Sequence, residues 1–268
     1  MLREGSGEPL VLLHGVLGSE HVWGRVVPLL ARDFEVIAPT ALGHRGGIEP
    51  TEHPVTIDQI TDAAERQLDE LGLERPHLAG NSMGGWIGLD LARRGRAGSV
   101  CALCPAGFWE EGWAERDRAF KLLLNARRDA RRGRRIAPFL GRSPRVRRWA
   151  MRDACLHGDR LSREEFVAVS QDTIGCDIAE ELIVPGTQFE PLEASCPITV
   201  AWAAEDRLFP PAVYRERGEE LIPAASVLVL DDVGHVPMFD DPRLVADTIR
   251  AATKRPSSAS ASLSSPGS

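Results

Sequence analysis

HLAGNSMGGW, residues 77–86, sets one serine, Ser82, among small residues where an apolar run ends. The run reads as a buried strand, and Met83 to Arg94 carry apolar residues at helical spacing. Strand, sharp turn and helix in that order place Ser82 at the carboxyl edge of a sheet. Gly80 and Gly84, two residues to either side, remove the side chains that would collide in such a turn. G-x-S-x-G between a strand and a helix points to a nucleophile; the competing reading is a serine that only fills a turn.

The same alternation extends in both directions. PLVLLHG (9–15), FEVIAPT (34–40), SVCALCP (99–105), PITVAWA (197–203) and SVLVL (226–230) read as further buried strands. Thr56 to Leu71 has helical periodicity, and Pro242 to Thr253 begins with a proline in a first-turn position. Strands alternating with helices predict an α/β fold, a mostly parallel, doubly wound sheet. The alternation stops after CPAGF (104–108) and resumes near EASCPITV (193–200), which predicts an inserted helical cap. The expected organisation is a core of 1–107 and 191–254, a cap of 108–190, and a disordered Ser/Ala/Pro/Gly tail at 255–268.

With 268 residues and 43% hydrophobic content, the chain is long enough to bury a sizeable core. A net charge of −7 argues against a general nucleic-acid binder. The N-terminus MLREGSGEPL lacks the apolar stretch of a signal peptide and no run is long enough to span a membrane, so the expected address is cytoplasmic, without stable membrane insertion. Cys101, Cys104, Cys155, Cys176 and Cys196 have no regular spacing. Cys101 and Cys104 lie three apart, which on a strand sends them to opposite faces as small core residues; a redox or metal role is the alternative.

A serine hydroxyl is a weak nucleophile at neutral pH and needs a histidine to take its proton and a carboxylate to hold that histidine. LDDVGHVPMF (230–239) supplies His235 in a loop after the last strand, and AWAAEDRLFP (201–210) supplies Asp206 after the strand before it. Glu205 and Asp232 are the alternatives to Asp206, and a surface or core residue is the alternative for His235. The chain order Ser82, Asp206, His235 is the one this architecture requires.

These motifs together resemble the α/β-hydrolase superfamily over roughly residues 7 to 107 and 191 to 254. LVLLHGVLGS (10–19) is similar to its oxyanion loop, VIAPTALGHRGG (36–47) to the loop after the next strand, GNSMGGW (80–86) to its nucleophile elbow, EDRLFPP (205–211) to its acid loop and GHVPMFDDP (234–242) to its histidine loop. The second and third motifs together resemble bacterial, actinobacterial-type serine hydrolases with a helical cap. The resemblance implies that the backbone N–H groups of Val16 and Met83 hold the oxyanion of a tetrahedral intermediate. Two departures stand out: the antiparallel hairpin that usually opens the sheet is missing or reduced to LREGSGE (2–8), and Thr40 stands where many relatives place Asp.

Between Arg116 and Arg152, fourteen Lys or Arg face two Asp. Leu123, Ala126 and Ala130 suggest a buried helical stripe that leaves the Arg pairs outside. A solvated basic face is the plain reading; steering of an anionic substrate, an acidic partner or anionic lipid head groups are the alternatives. An apolar pocket above Ser82 is expected, with Leu17, Trp109, Trp113 and Met238 as candidates beside Val16 and Met83, while Trp86 reads as core.

The residues thus predict a serine hydrolase acting on carboxylic esters through an acyl-enzyme, on a small molecule with an apolar acyl or alcohol group. It would work without metal or organic cofactor, as a monomer or homodimer, and without nucleic acid. The other readings are a C–C bond hydrolase of ring-cleavage products, a cofactor-free perhydrolase or haloperoxidase, and a non-catalytic receptor. HGVLGS (14–19) and GHVPMF (234–239) lack the loop patterns of the C–C hydrolases.

Overall fold

A computed structural model describes residues 1–110, 112–182 and 187–254, so the tail expected at 255–268 lies outside the described residues. Its strands are β1 (Leu2–Gly5), β2 (Glu8–Leu13), β3 (Phe34–Ala38), β4 (His77–Asn81), β5 (Ser99–Leu103), β6 (Ile198–Ala203) and β7 (Ser226–Leu230). They form one sheet in the order β1-β3-β2-β4-β5-β6-β7. All pairs are parallel except β1 with β3, where Leu2 opposes Ala38 and Gly5 opposes Glu35. The hairpin expected to be missing or reduced is therefore represented by one four-residue antiparallel strand at the sheet edge.

Alternation along the strands feeds two apolar layers, because successive side chains point to opposite faces. Val11, Leu13, Ile37, Leu78, Val100, Val200 and Trp202 enter one layer, and Leu10, Leu12, Val36, Ala79, Cys101, Leu103 and Ala201 enter the other. Helices cover both. The chain adds α1 (Val27–Leu30), α2 (Ile57–Glu70), α3 (Met83–Arg93), α4 (Ala114–Gly133), α5 (Ala137–Leu140), α6 (Pro144–Ala150), α7 (Arg163–Ile174), α8 (Ala179–Leu182), α9 (Pro211–Leu221), α10 (Pro237–Asp240) and α11 (Pro242–Thr253). Ile60 of α2, Ile87 of α3 and Leu221 of α9 pack in the first layer; Leu30 of α1 and Val245 and Ile249 of α11 pack in the second. Each such side chain contributes about 1.5–3 kcal/mol when fully buried.

Local chemistry sets the helix starts. Thr56 and Gln59 form a reciprocal capping box on α2, and Asp241 accepts from the N–H groups of Arg243 and Leu244 just ahead of Pro242 at the start of α11. Each cap contributes about 1 kcal/mol.

From β2 the chain runs outward to β3 and then returns to the other side of β2 as β4. The strand order reverses between β2 and β4, and a crevice opens there at the carboxyl ends. Leu13 is level with Gly80 and Asn81 with Leu103, so the segments following β2, β4 and β5 converge at that crevice.

Helices α4 to α8 form the insertion between β5 and β6. The buried stripe expected on α4 is different: Ala126 is exposed and Leu123 and Ala130 are half-buried, while Arg127 is buried and pairs with Glu180. The insertion is tied to the core through buried Asp172 of α7, which accepts from Ser19 Oγ (2.7 Å), His21 Nδ1 (3.0 Å) and Arg45 Nη1 (2.8 Å). Cys101 and Cys104 share one apolar layer instead of taking opposite faces, because Cys104 follows the strand end with a φ of 45° and breaks the alternation.

Candidate active site

Ser82 stands between β4 and α3 with φ 56° and ψ −117°, a conformation an L residue holds only when its surroundings impose it. Its N–H donates to the Leu103 carbonyl (2.9 Å), and its carbonyl accepts from Trp86 (3.2 Å) and Ala106 (3.1 Å). A Cβ on Gly80 would collide with the carbonyl of Gly84, and one on Gly84 with that of Leu13. Both glycines are therefore required by close backbone approach, and the elbow is over-determined by its neighbours.

Asp206 is buried in the turn after β6. Its Oδ1 accepts from the N–H groups of Leu208 and Phe209, both at 2.8 Å, and its Oδ2 accepts from His235 Nδ1–H at 2.7 Å. Anchored this way, the carboxylate fixes the imidazole's tautomer and leaves Nε2 with its lone pair. Phe209 closes over the ring edge, its centroid 5.0 Å from that of His235. The histidine loop is held from three directions: Asn81 Nδ2 donates to the His235 carbonyl (2.8 Å), Val236 N–H donates to Ala154 (2.7 Å), and buried Asp240 accepts from the N–H of Gly234 (2.8 Å). Asp240 also accepts from the N–H groups of Leu156 (2.9 Å) and His157 (2.7 Å), joining the histidine loop to the insertion.

A cavity of about 410 Å³ opens on Ser82. Val16, Met83, Trp86, Ala106, Trp109, Phe120, Leu123, Leu182 and Phe209 form its apolar walls, Pro54 to Ile57 one side, and Thr187, Glu180 and Glu181 its polar margin. The Trp109 indole donates to the Thr187 carbonyl at 2.7 Å, which orients the ring. Glu181 binds the Val55 N–H (2.5 Å) and His53 (2.9 Å), so α8 closes against the loop that lines the cavity. Of the four pocket candidates, Trp109 lines this cavity, and Leu17, Trp113 and Met238 do not. Leu17 has a left-handed backbone and is buried in the first apolar layer, Trp113 packs on the Tyr214 ring at 5.8 Å, and Met238 is buried in the layer on the opposite face of the sheet. Trp86, read as core, is buried and also forms part of the wall.

His14 precedes Gly15 and takes a structural part. Its Nε2 accepts from the Ala41 N–H (2.9 Å) and its Nδ1–H donates to the Gly15 carbonyl (2.8 Å). Burial lowers its pKa to about 4, and burial together with the neighbouring His14 lowers that of His44 to about 3. Both rings are neutral at pH 7. Thr40 lies outside the cavity lining and hydrogen-bonds the Glu20 carboxylate.

Sequence reasoning missed Asn81, Asp240 and Cys104. The Cys104 sulfur, an Asp206 oxygen and a His235 nitrogen lie within 4.8 Å of one another. Burial, and then the charge of Asp206, push the Cys104 thiol pKa well up, so it stays a neutral thiol beside that carboxylate. The available signal was its place immediately after β5, beside the strand that carries the acid loop.

An elbow serine, a buried histidine–carboxylate pair and an apolar cavity at the switch point of a mostly parallel sheet define a hydrolase of the α/β fold. The chain belongs to the alpha/beta hydrolase family, which it matches over residues 10–248. Epoxide hydrolase EphH of Mycobacterium tuberculosis is 35% identical over 202 residues, covering 71% of this chain and 91% of that protein. Lipase 3 of a Moraxella species is 27% identical over 262 residues, covering 92% and 77% respectively. In fold, the chain is similar to naproxen esterase (carboxylesterase NP) of Bacillus subtilis, with a TM-score of 0.73 over 93% of this chain and 85% of that one at 19% identity.

Proposed function

We propose that the protein hydrolyses carboxylic esters through an acyl-enzyme at Ser82, with His235 as the base, Asp206 as its partner and helices α4 to α8 as a cap. The observation that carries this reading is the 2.7 Å bond from His235 Nδ1–H to the buried Asp206 carboxylate, in a site whose elbow residue is a serine. His235 Nε2 takes the Ser82 proton as Oγ attacks the carbonyl carbon, and Asp206 stabilises the imidazolium that forms. The N–H groups of Val16 and Met83, both at the cavity wall, hold the oxyanion; loss of one such donor costs about 3–4 kcal/mol of transition-state stabilisation. Collapse breaks the ester C–O bond, and the leaving alcohol takes the proton from His235. Water, deprotonated by His235, then releases the acid and restores Ser82.

The apolar walls favour an aliphatic or aryl group over a charged one. Lipase 3 is a relative whose name fits this chemistry. EphH is named for epoxide opening, and there the residue type at the elbow decides. A carboxylate opening an epoxide leaves an ester that water can cleave, whereas Ser82 would leave an ether that water cannot. A fluorophosphonate probe should label the protein, and Ser82→Ala and His235→Ala should each abolish labelling and hydrolysis of short aryl esters. Wild-type ester turnover by Ser82→Ala would overturn the reading. Dienone ring-cleavage substrates assayed in parallel separate it from C–C bond hydrolysis.

A further inference from the structure

Residues 131–152 carry nine Arg and no Asp or Glu, in a chain whose net charge is −7, so the remainder of the molecule carries −16. The same segment exposes Ile136 (54%), Phe139 (68%), Leu140 (38%) and Trp149 (67%) to solvent. A basic face that is only a solvated surface has no need of exposed large apolar side chains. Here they lie on and beside α5 and α6, among the arginines. Arg142 stacks over Phe139 at 5.6 Å and Arg152 over Trp149 at 4.7 Å, so each exposed ring has a guanidinium on its face.

The arginines are little neutralised. Among the described residues, the ion pairs of this segment are Arg131 with Glu180 (4.0 Å), Arg148 with Asp159 (3.9 Å) and Arg152 with Asp153 (3.7 Å), all long. Buried Arg147 has a structural part, donating to the carbonyls of Gly141 (2.7 Å) and Asp159 (3.1 Å) and so fixing α6 to the turns around it. Gly141 closes α5, so the bond to its carbonyl ties α6 to α5, and the other eight arginines of the segment are exposed.

We propose that this face of the insertion docks on a membrane surface rich in anionic lipid head groups. Guanidinium groups match lipid phosphates bidentately, while tryptophan, phenylalanine and aliphatic side chains settle at the boundary between head groups and acyl chains. Charge complementarity also sets the orientation, since the same surface repels the rest of the molecule at −16. Duplex nucleic acid or an acidic protein segment would use the arginines and leave four apolar side chains in water. The docking is peripheral: no helix among the described residues is long and apolar enough to cross a membrane. Helix α4, whose Phe120 and Leu123 line the cavity, leads directly into this face.

Flotation of the full chain with vesicles tests the proposal independently of any enzymatic reading. Vesicles of phosphatidylcholine with about 30 mol% phosphatidylglycerol, at about 0.15 M salt, should carry the protein, and pure phosphatidylcholine vesicles should carry at least about tenfold less. Arg134→Glu/Arg135→Glu should abolish binding. Phe139→Ser/Trp149→Ser, which leaves the charge unchanged, should weaken it about tenfold and remove a blue shift of tryptophan emission on binding. All four residues are exposed, so the variants should keep the wild-type circular dichroism and melting temperature. Absence of binding to the anionic vesicles would overturn the proposal. So would unweakened binding by the serine variant, accompanied by equal capture on duplex DNA or polyglutamate, since attraction to any polyanion would then account for it.

Discussion

Asn81, the residue before the elbow serine, donates through Nδ2 to the backbone carbonyl of His235 at 2.8 Å, and to that of Leu103 at 3.2 Å. One buried amide group thus locks the end of the nucleophile's strand, the neighbouring strand and the histidine loop into a single register. Asn81→Ala should strand the His235 carbonyl and release its backbone, while the Leu103 carbonyl keeps the Ser82 N–H. The expected loss is about 1–3 kcal/mol of stability and about 10–100-fold in kcat, with a smaller change in KM. Urea unfolding together with ester kinetics checks both, and an unaltered kcat would dissociate the contact from catalysis.

Asp240 gathers three backbone N–H groups, those of Gly234, Leu156 and His157, on one buried carboxylate. Charged acceptors make stronger hydrogen bonds than neutral ones, and removing one strands every donor it served. Asp240→Ala should cost about 2–4 kcal/mol in urea unfolding and lower kcat, because the histidine loop loses its seat on the insertion. A loss smaller than that of an ordinary surface substitution would show that water replaces the carboxylate.

The elbow was legible in the sequence because its constraint is local: Gly80 and Gly84 are neighbours in the chain of the residue they accommodate. The inner strands β2, β3, β4, β5 and β6 were legible because both their faces are largely buried, which leaves short uninterrupted apolar runs, whereas β7, expected to be buried as well, lies at the sheet edge and exposes Leu228 and Val229. Asn81 and Asp240 were not, since the contacts that tie the site together, Asn81 to His235 and Asp240 to Leu156, span 154 and 84 residues of chain and nothing in either residue names them. Leu17 and Met238 sit next to site residues in the chain, yet backbone conformation sends them elsewhere: Leu17 turns through a φ of 66°, and Met238 falls on the far face of the sheet. The wall formed by Pro54 to Ile57 comes from a loop whose approach depends on Glu181 of the insertion.

The His14 and His44 rings pack edge to face with centroids 5.0 Å apart, both held neutral by burial, with pKa values lowered to about 4 and about 3. In the unfolded chain each would titrate near 6.5. Below that value the unfolded state binds protons that the folded state refuses, so stability is full above about pH 6.5 and falls as pH drops toward the folded values. Each histidine adds up to about 1.4 kcal/mol per pH unit to that slope. Urea unfolding between pH 7 and pH 4 should show it, and His44→Gln should flatten it by nearly one proton. An unchanged proton uptake in the variant would mean that carboxylates alone produce the slope.

Cys104 offers a finer test of the pair at the centre of the site. The Asp206 carboxylate accepts from two backbone N–H groups and from His235, and the protonated Cys104 sulfur lies within 4.8 Å of an Asp206 oxygen and a His235 nitrogen. The thiol is fully buried and fills the space behind the pair, so removing it leaves a cavity into which either side chain can shift. In Cys104→Ala the His235–Asp206 geometry should loosen, so kcat falls about tenfold with a smaller change in KM. Cys104→Ser nearly keeps the volume and should keep kcat near its wild-type value. A purely structural cysteine predicts something different: Cys104→Ala loses stability in urea unfolding and keeps its kcat, and that result would remove Cys104 from any part in positioning the triad.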